Sequence, residues 1–153
     1  MTGPQGPTGF AFEPSGIYVF SQNEQTILIG ADVIFEGIAV FTPDFSFVPG
    51  TSDVISVTAA GIYSIDWSIS TYQPVKAGVT RNDVLIPAST FGTNAGSTTL
   101  STSCVAQISP GDIIKLQNSN SSANSIKLAV DLGGVTGGPP PNVSAHLKII
   151  RIM

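Results

Sequence analysis

The chain has 153 residues, which is the size of one ordinary domain, and 42% of them are hydrophobic while only 10% are charged. The formal net charge is -4, and the six Lys and Arg residues are scattered along the sequence. Nucleic-acid binding needs clustered basic residues, so this composition argues against that class of partner. No apolar stretch of the sequence reaches the roughly 18–20 residues that span a membrane, so we expect no membrane partner.

The first residues follow the Gly-X-Y rule of collagen. Glycine stands at every third position from Gly3 to Gly9, and proline follows the first two of these glycines. Only glycine fits at the crowded axis of a collagen helix, and that helix needs three chains. We interpret residues 1–9 as the end of a collagen-like segment and residues 10–153 as one domain that comes in threes. A flexible leader that matches the rule by chance is the alternative.

Alternation of apolar and polar residues dominates the rest of the chain. In residues 61–72, Tyr63 and Trp67 share one side of the segment, while Asp66 and several serines share the other. This pattern is typical of a strand with one face in a core. Ten segments are predicted as strands: residues 16–20, 26–30, 37–41, 53–57, 61–72, 77–82, 99–109, 112–116, 125–132 and 144–150.

Turn signals separate these segments, among them Asn82-Asp83, Pro110-Gly111 and a Gly/Pro-rich loop over residues 133–141. About ten short strands without helices predict an antiparallel sandwich, jelly roll or barrel. Aromatic residues concentrate between residues 10 and 91. Either all their rings fill one core, or some pack between subunits, where aromatic side chains are enriched.

Three side chains could carry chemistry, and the sequence favours a structural role for each. His146 is the only histidine, so a zinc site or a Ser-His-Asp arrangement has little support, and we expect a structural or surface role. Asp66 lacks a second carboxylate at a useful spacing, so we expect it to face water or a neighbouring subunit. Cys104 lies on the apolar face of its strand, so we expect it in the core. The sequence therefore predicts no catalytic residue, cofactor or metal ligand, and a chain that is not an enzyme.

Four segments resemble the complement/tumour-necrosis-factor-like jelly roll, and the resemblance covers residues 10–153. They are "SDVISVTAAGIYSIDWSIS" (52–70), "VTRNDVLIPAS" (79–89), "AQISPGDIIKLQ" (106–117) and "SAHLKIIRIM" (144–153). The resemblance implies an all-β antiparallel jelly-roll sandwich of about ten strands that forms a homotrimer. Within this family, the chain is similar to the C-terminal domains of collagen-like proteins on the bacterial spore surface, the exosporium. The "GFAF" opening (9–12) also resembles small exosporium proteins of that fold.

The resemblance implies a structural head that trimerises on the extracellular spore surface and nucleates the collagen triple helix of its own stalk. We expect the intersubunit surface to include Tyr63, Trp67, Leu147 and Ile149. Other spore-surface proteins, host glycans and host receptors are further candidate partners. Two other functions stay open: an adhesin head that binds a receptor or glycan through polar loops, and the tip of a phage or surface fibre.

Overall fold

The computed structural model describes residues 14–50, 53–119, 124–132 and 142–153. In these residues the chain forms thirteen strands and one 3-10 turn at Pro87–Ser89. The strands are β1 (Ser15–Ser21), β2 (Thr26–Leu28), β3 (Gly37–Phe41), β4 (Phe45–Ser46), β5 (Ile55–Val57), β6 (Gly61–Thr71), β7 (Val75–Arg81), β8 (Val84–Leu85), β9 (Phe91–Thr93), β10 (Thr98–Ile108), β11 (Ile113–Asn118), β12 (Ser125–Lys127) and β13 (Ala145–Arg151). The collagen-like segment 1–9 and the loop 133–141 lie outside the described residues.

The strands form two main antiparallel sheets. The five-stranded sheet has the order β10-β6-β13-β1-β3, so β13, from the end of the chain, lies in its centre. The second sheet has the order β4-β5-β11-β7-β8, with β9 also pairing with β7. A small sheet of β12 and β2 stands beside them. β6 and β10 pair over eleven residues, from Gly61 opposite Ile108 to Thr71 opposite Thr98.

One hydrophobic core lies between the two main sheets, as period-two alternation requires. The five-stranded sheet contributes side chains such as Trp67 and Leu147, and the second sheet contributes others such as Val79 and Leu116, all at most 1% exposed. Cys104 is 7% exposed and belongs to this core, which confirms the expectation from its strand pattern. Burial raises the pKa of its thiol.

All ten segments predicted as strands overlap a strand of the structure, and the largest boundary error is at residues 125–132. Residues 125–132 were expected to form a single strand, whereas β12 ends at Lys127 and Leu128 forms only an isolated bridge with Thr71. The predicted Asn82-Asp83 turn joins β7 to β8, and both residues have positive φ angles (52° and 64°). Left-handed residues at both central positions are typical of the tight hairpin turn that fits the strand twist.

Some of the described aromatic side chains lie in the core and others are exposed, so the interpretation that all of them fill one core is wrong. Phe35, Phe45 and Trp67 are at most 3% exposed and fill the core. Phe41 and Phe91 are 51% and 55% exposed in the single chain, so the core does not take every described ring. None of the described residues forms a helix long and apolar enough to cross a membrane.

The four residues expected at an intersubunit surface require a correction. Tyr63, Trp67, Leu147 and Ile149 are at most 1% exposed within one protomer. Their side chains point between the two sheets, so they have no surface left to bury against another subunit. Any interface formed by β6 and β13 must use the alternate residues, whose side chains point away from the core.

Candidate assembly face

The outward side of the five-stranded sheet is the candidate functional surface, and we call it the assembly face. Because side chains alternate along a strand, the residues between the core positions share this side. The assembly face comprises Tyr18, Phe20, Ile62, Ser64, Asp66, Ser68, Ser103, Val105, His146, Lys148 and Ile150. Strand register places them in rows across β10, β6, β13 and β1.

Two opposite charges face each other at the centre of the assembly face. Lys148 on β13 lies directly opposite Asp66 on β6, and its Nζ is 2.5 Å from the Asp66 Oδ2 atom. Asp66 and Lys148 are the charged residues among those that define this face, so it is neutral overall. Covering a paired, neutral arrangement with another protein surface costs less desolvation free energy than covering an unpaired charge.

His146 lies next to this ion pair along β13. Its Nδ1 atom is 2.7 Å from the Ser68 hydroxyl oxygen on β6. On its other side the imidazole stacks on the Tyr18 ring of β1, with centroids 5.4 Å apart and an interplanar angle of 24°. Burial and the nearby Lys148 charge lower the His146 pKa, and Asp66 opposes this shift. The histidine therefore favours its neutral form and links three neighbouring strands.

The Ser68–His146 contact joins a hydroxyl to a potential base, and no local sequence pattern predicts it because the two residues are 78 positions apart. The carboxylate of Asp66 is bound by Lys148, so it does not orient the imidazole as the acid of a catalytic triad does. The pair fits a structural contact across two strands. Asp66 and His146 thus lie where the sequence predicted, on the polar face of their strands.

Apolar residues surround the central ion pair. One row across the sheet places Val105 and Ile150 on either side of Ser64, and these two apolar side chains are 59% and 39% exposed. On β1, the Phe20 ring occupies the space above Gly37 of β3, where a Cβ atom would overlap it. These exposed apolar side chains supply hydrophobic surface that another subunit can cover.

The second sheet presents a different surface. The Lys115 Nζ atom on β11 lies 2.9 Å from Asp83 Oδ1, 3.3 Å from Asp32 Oδ2 and 4.0 Å from Asp53 Oδ2. Burial raises the pKa of Asp32, although Lys115 counteracts this shift. Within the described ranges, no group of three or more His, Cys, Asp or Glu side chains could hold a metal ion. Excess negative charge on this side makes the assembly face the better surface for burial.

The comparisons with known proteins identify the fold but no sequence relative. No protein-family model matches the sequence, and no curated protein matches it. Among solved structures, murine APRIL at pH 8.5 is similar with a TM-score of 0.61 and 12% identity, covering 92% of this chain and 100% of that chain. The globular domain of zebrafish complement 1qA is similar with a TM-score of 0.59 and 14% identity, covering 91% and 98%.

Pika GITRL is a third similar structure, with a TM-score of 0.50, 12% identity and coverage of 92% of this chain and 96% of that chain. Identities this low establish the fold alone. The resemblance found in the sequence is confirmed at that level, because both the strand order and these structures agree with it. The chain is an all-β antiparallel jelly-roll sandwich of the complement/TNF-like type.

Proposed function

We propose that this domain is the trimerising structural head of a collagen-like filament protein and that it nucleates the triple helix of its stalk. The observation that carries the proposal is the assembly face, which combines exposed Val105 and Ile150 with a self-neutralised ion pair. A subunit interface needs apolar surface and no unpaired charge, and the assembly face combines both. The Gly-X-Y pattern at residues 1–9 supports three chains, because a collagen helix needs three.

The position of the first described strand supports a coupling between head and stalk. β1 begins at Ser15, and Gly16 lies opposite Ile150 in the β1–β13 register, so the chain enters the domain at the border of the assembly face. Five residues lie between Gly9 and Ser15, so six Cα–Cα steps limit the distance between these two residues to about 20 Å. Association through this face would therefore hold three Gly-X-Y segments close together and reduce the entropy cost of starting the triple helix.

The location on the spore surface is inferred from the sequence resemblance to exosporium proteins, including "GFAF" at residues 9–12. The surface chemistry is compatible with an extracellular protein, since the only cysteine is Cys104 and it is buried. A buried thiol is protected from oxidation and from unwanted intermolecular disulfides. Assembly would supply stability that a disulfide-free extracellular domain cannot take from crosslinks.

A matched pair of variants tests the proposed interface. Val105 on the assembly face and Val48 beyond β4 of the second sheet are equally exposed, at 59% and 60%. Val105→Glu would bury an unpaired carboxylate in the trimer, so we expect it to sediment as a monomer while Val48→Glu remains trimeric. Far-ultraviolet circular dichroism should show that both variants keep the fold. A trimeric Val105→Glu protein, or equal dissociation of both variants, would contradict the proposed interface.

A further inference from the structure

His146 occupies the centre of the assembly face. It lies on β13, the middle strand of the five, and contacts both neighbouring strands through Ser68 and Tyr18. It is also the only histidine in the chain. Histidine is the side chain whose ordinary pKa puts its change of charge between pH 5 and 8, so this position decides how the face responds to mild acid.

We propose that mild acidification opens the assembly, with protonation of His146 as the trigger. The inference rests on the proposed trimer and adds a regulation of the same surface. In the neutral state, the ring stacks on Tyr18 and one nitrogen pairs with the Ser68 hydroxyl. Another subunit can cover this neutral ring with a small desolvation penalty, because the ring carries no net charge.

Asp66 is the one acidic group among those that face His146, and its opposing effect on the His146 pKa is smaller than that of burial and Lys148. On β6, Ser68 is neutral and the Asp66 carboxylate is already bound to Lys148. On β13, Lys148 adds a positive charge two residues away. On β1, Tyr18 and Phe20 present aromatic rings, and the register places Ser101 of β10 next to Ser68. A second positive charge would therefore be buried beside Lys148 without a free carboxylate.

The direction of the effect follows from proton linkage. Within the single protomer, the His146 pKa is already lowered from 6.5 by burial and by Lys148. Covering the face removes more water from the ring, so association should lower this pKa further. A group whose pKa is lowered by association stabilises the assembled state at pH values above the pKa of that group in the free protomer. This stabilisation is lost as the pH falls from the pKa in the free protomer towards the lower pKa in the assembly.

Sedimentation of the full chain at pH 7.5 and pH 5.0 tests this directly. We expect the dissociation constant of the wild-type assembly to rise at least about tenfold at the lower pH, with the fold retained by circular dichroism. His146→Asn replaces the imidazole with a non-titrating amide, so its dissociation constant should change little between the two pH values. Asp32→Asn, beside β11 of the second sheet and away from the assembly face, is the matched control and should keep the wild-type response.

A second measurement remains valid if His146→Asn fails to fold. Because the chain has a single histidine, its proton resonance can be followed by NMR through a pH titration without assignment ambiguity. We expect a lower apparent pKa in the wild-type assembly than in the monomeric Val105→Glu variant. Equal pKa values, or a wild-type trimer that stays equally tight at pH 5.0, would overturn this inference and leave the trimer intact. A wild-type chain that is monomeric at both pH values would overturn the proposed function itself.

Discussion

The indole Nε1 atom of Trp67 donates a hydrogen bond to the backbone carbonyl oxygen of Ser89 at 3.0 Å, and this contact ties the five-stranded sheet to the 3-10 turn of the opposite side. The Ser89 hydroxyl in turn donates to the Ile86 carbonyl at 2.7 Å and accepts from the Val79 backbone N–H at 2.8 Å. Ser89 is fully buried. Ser89 thus forms hydrogen bonds with backbone groups of β7 and of the turn. Its carbonyl oxygen also accepts the hydrogen bond from Trp67, the largest side chain of the core.

The hydroxyl of Ser89 should contribute measurably to the free energy of unfolding. Ser89→Ala removes the hydroxyl and leaves the buried Val79 N–H without its acceptor, so the free energy of unfolding should fall by about 1–3 kcal/mol. Urea unfolding measures the loss, and an unchanged m-value would show that the denatured state is not the cause. Ser46→Ala, at an exposed position of β4 outside the assembly face, is the control and should change stability by less than about 0.5 kcal/mol. Equal effects of the two substitutions would contradict the role given to Ser89.

The Phe20 ring lies so close to Gly37 that position 37 has no room for a side chain. Gly37→Ala would place a methyl group inside the Phe20 ring, so the ring must move, and we expect a loss of about 1–3 kcal/mol in stability. Phe20→Ala removes the obstacle, so Gly37→Ala should cost much less in that background. A double-mutant cycle by urea unfolding should give a coupling of at least about 0.5 kcal/mol. Additive losses would show that the alanine is accommodated without moving the ring.

Asp112, beside the Pro110-Gly111 turn, should make the stability of the fold depend on pH in acid. The Ser109 backbone N–H donates to Asp112 Oδ2 at 2.8 Å and the Asn82 side chain donates to Asp112 Oδ1 at 2.7 Å. These bonds, the Ser109 contact first, hold the pKa of Asp112 below its ordinary value of 3.8. A depressed pKa contributes stability that is present above the unfolded-state pKa and is lost as the pH falls through the folded-state value.

Asp112→Asn removes the charge and keeps a similar shape. The variant should therefore be less stable than the wild type near pH 7, and the difference should shrink as the pH falls below 3.8 and Asp112 becomes protonated. Thermal unfolding at pH values above and below 3.8 checks this. Asp131→Asn, at an exposed position near the end of the described segment 124–132, should not reproduce the pH dependence. A stability difference that persists undiminished at low pH would mean that the charge on Asp112 is not its source.

The sequence predicted the fold well because alternation is a local signal. β6 and β10 carry long alternating segments, and each of them forms an eleven-residue strand where the alternation predicts one. The strands that were missed, β4, β8 and β9, have two or three residues each and hold their conformation through pairing with longer strands. Such short segments carry too few residues to show a period, so only the tertiary structure defines them.

The candidate surface was harder to predict, and the error has a simple physical cause. Trp67 and Leu147 look like interface residues because they are large and apolar, but one protomer already buries them. Distinguishing core from interface requires knowing which side of the sheet the second sheet covers, and alternation alone does not say. The contact of Ser68 with His146 likewise depends on the register between β6 and β13. No local pattern in the sequence specifies that register.

The proposed association of three copies through the assembly face can be measured by sedimentation equilibrium of the wild-type chain near neutral pH, at micromolar concentration. We expect a single species with three times the chain mass of 15.8 kDa. A species of 15.8 kDa across the same concentration range would contradict it.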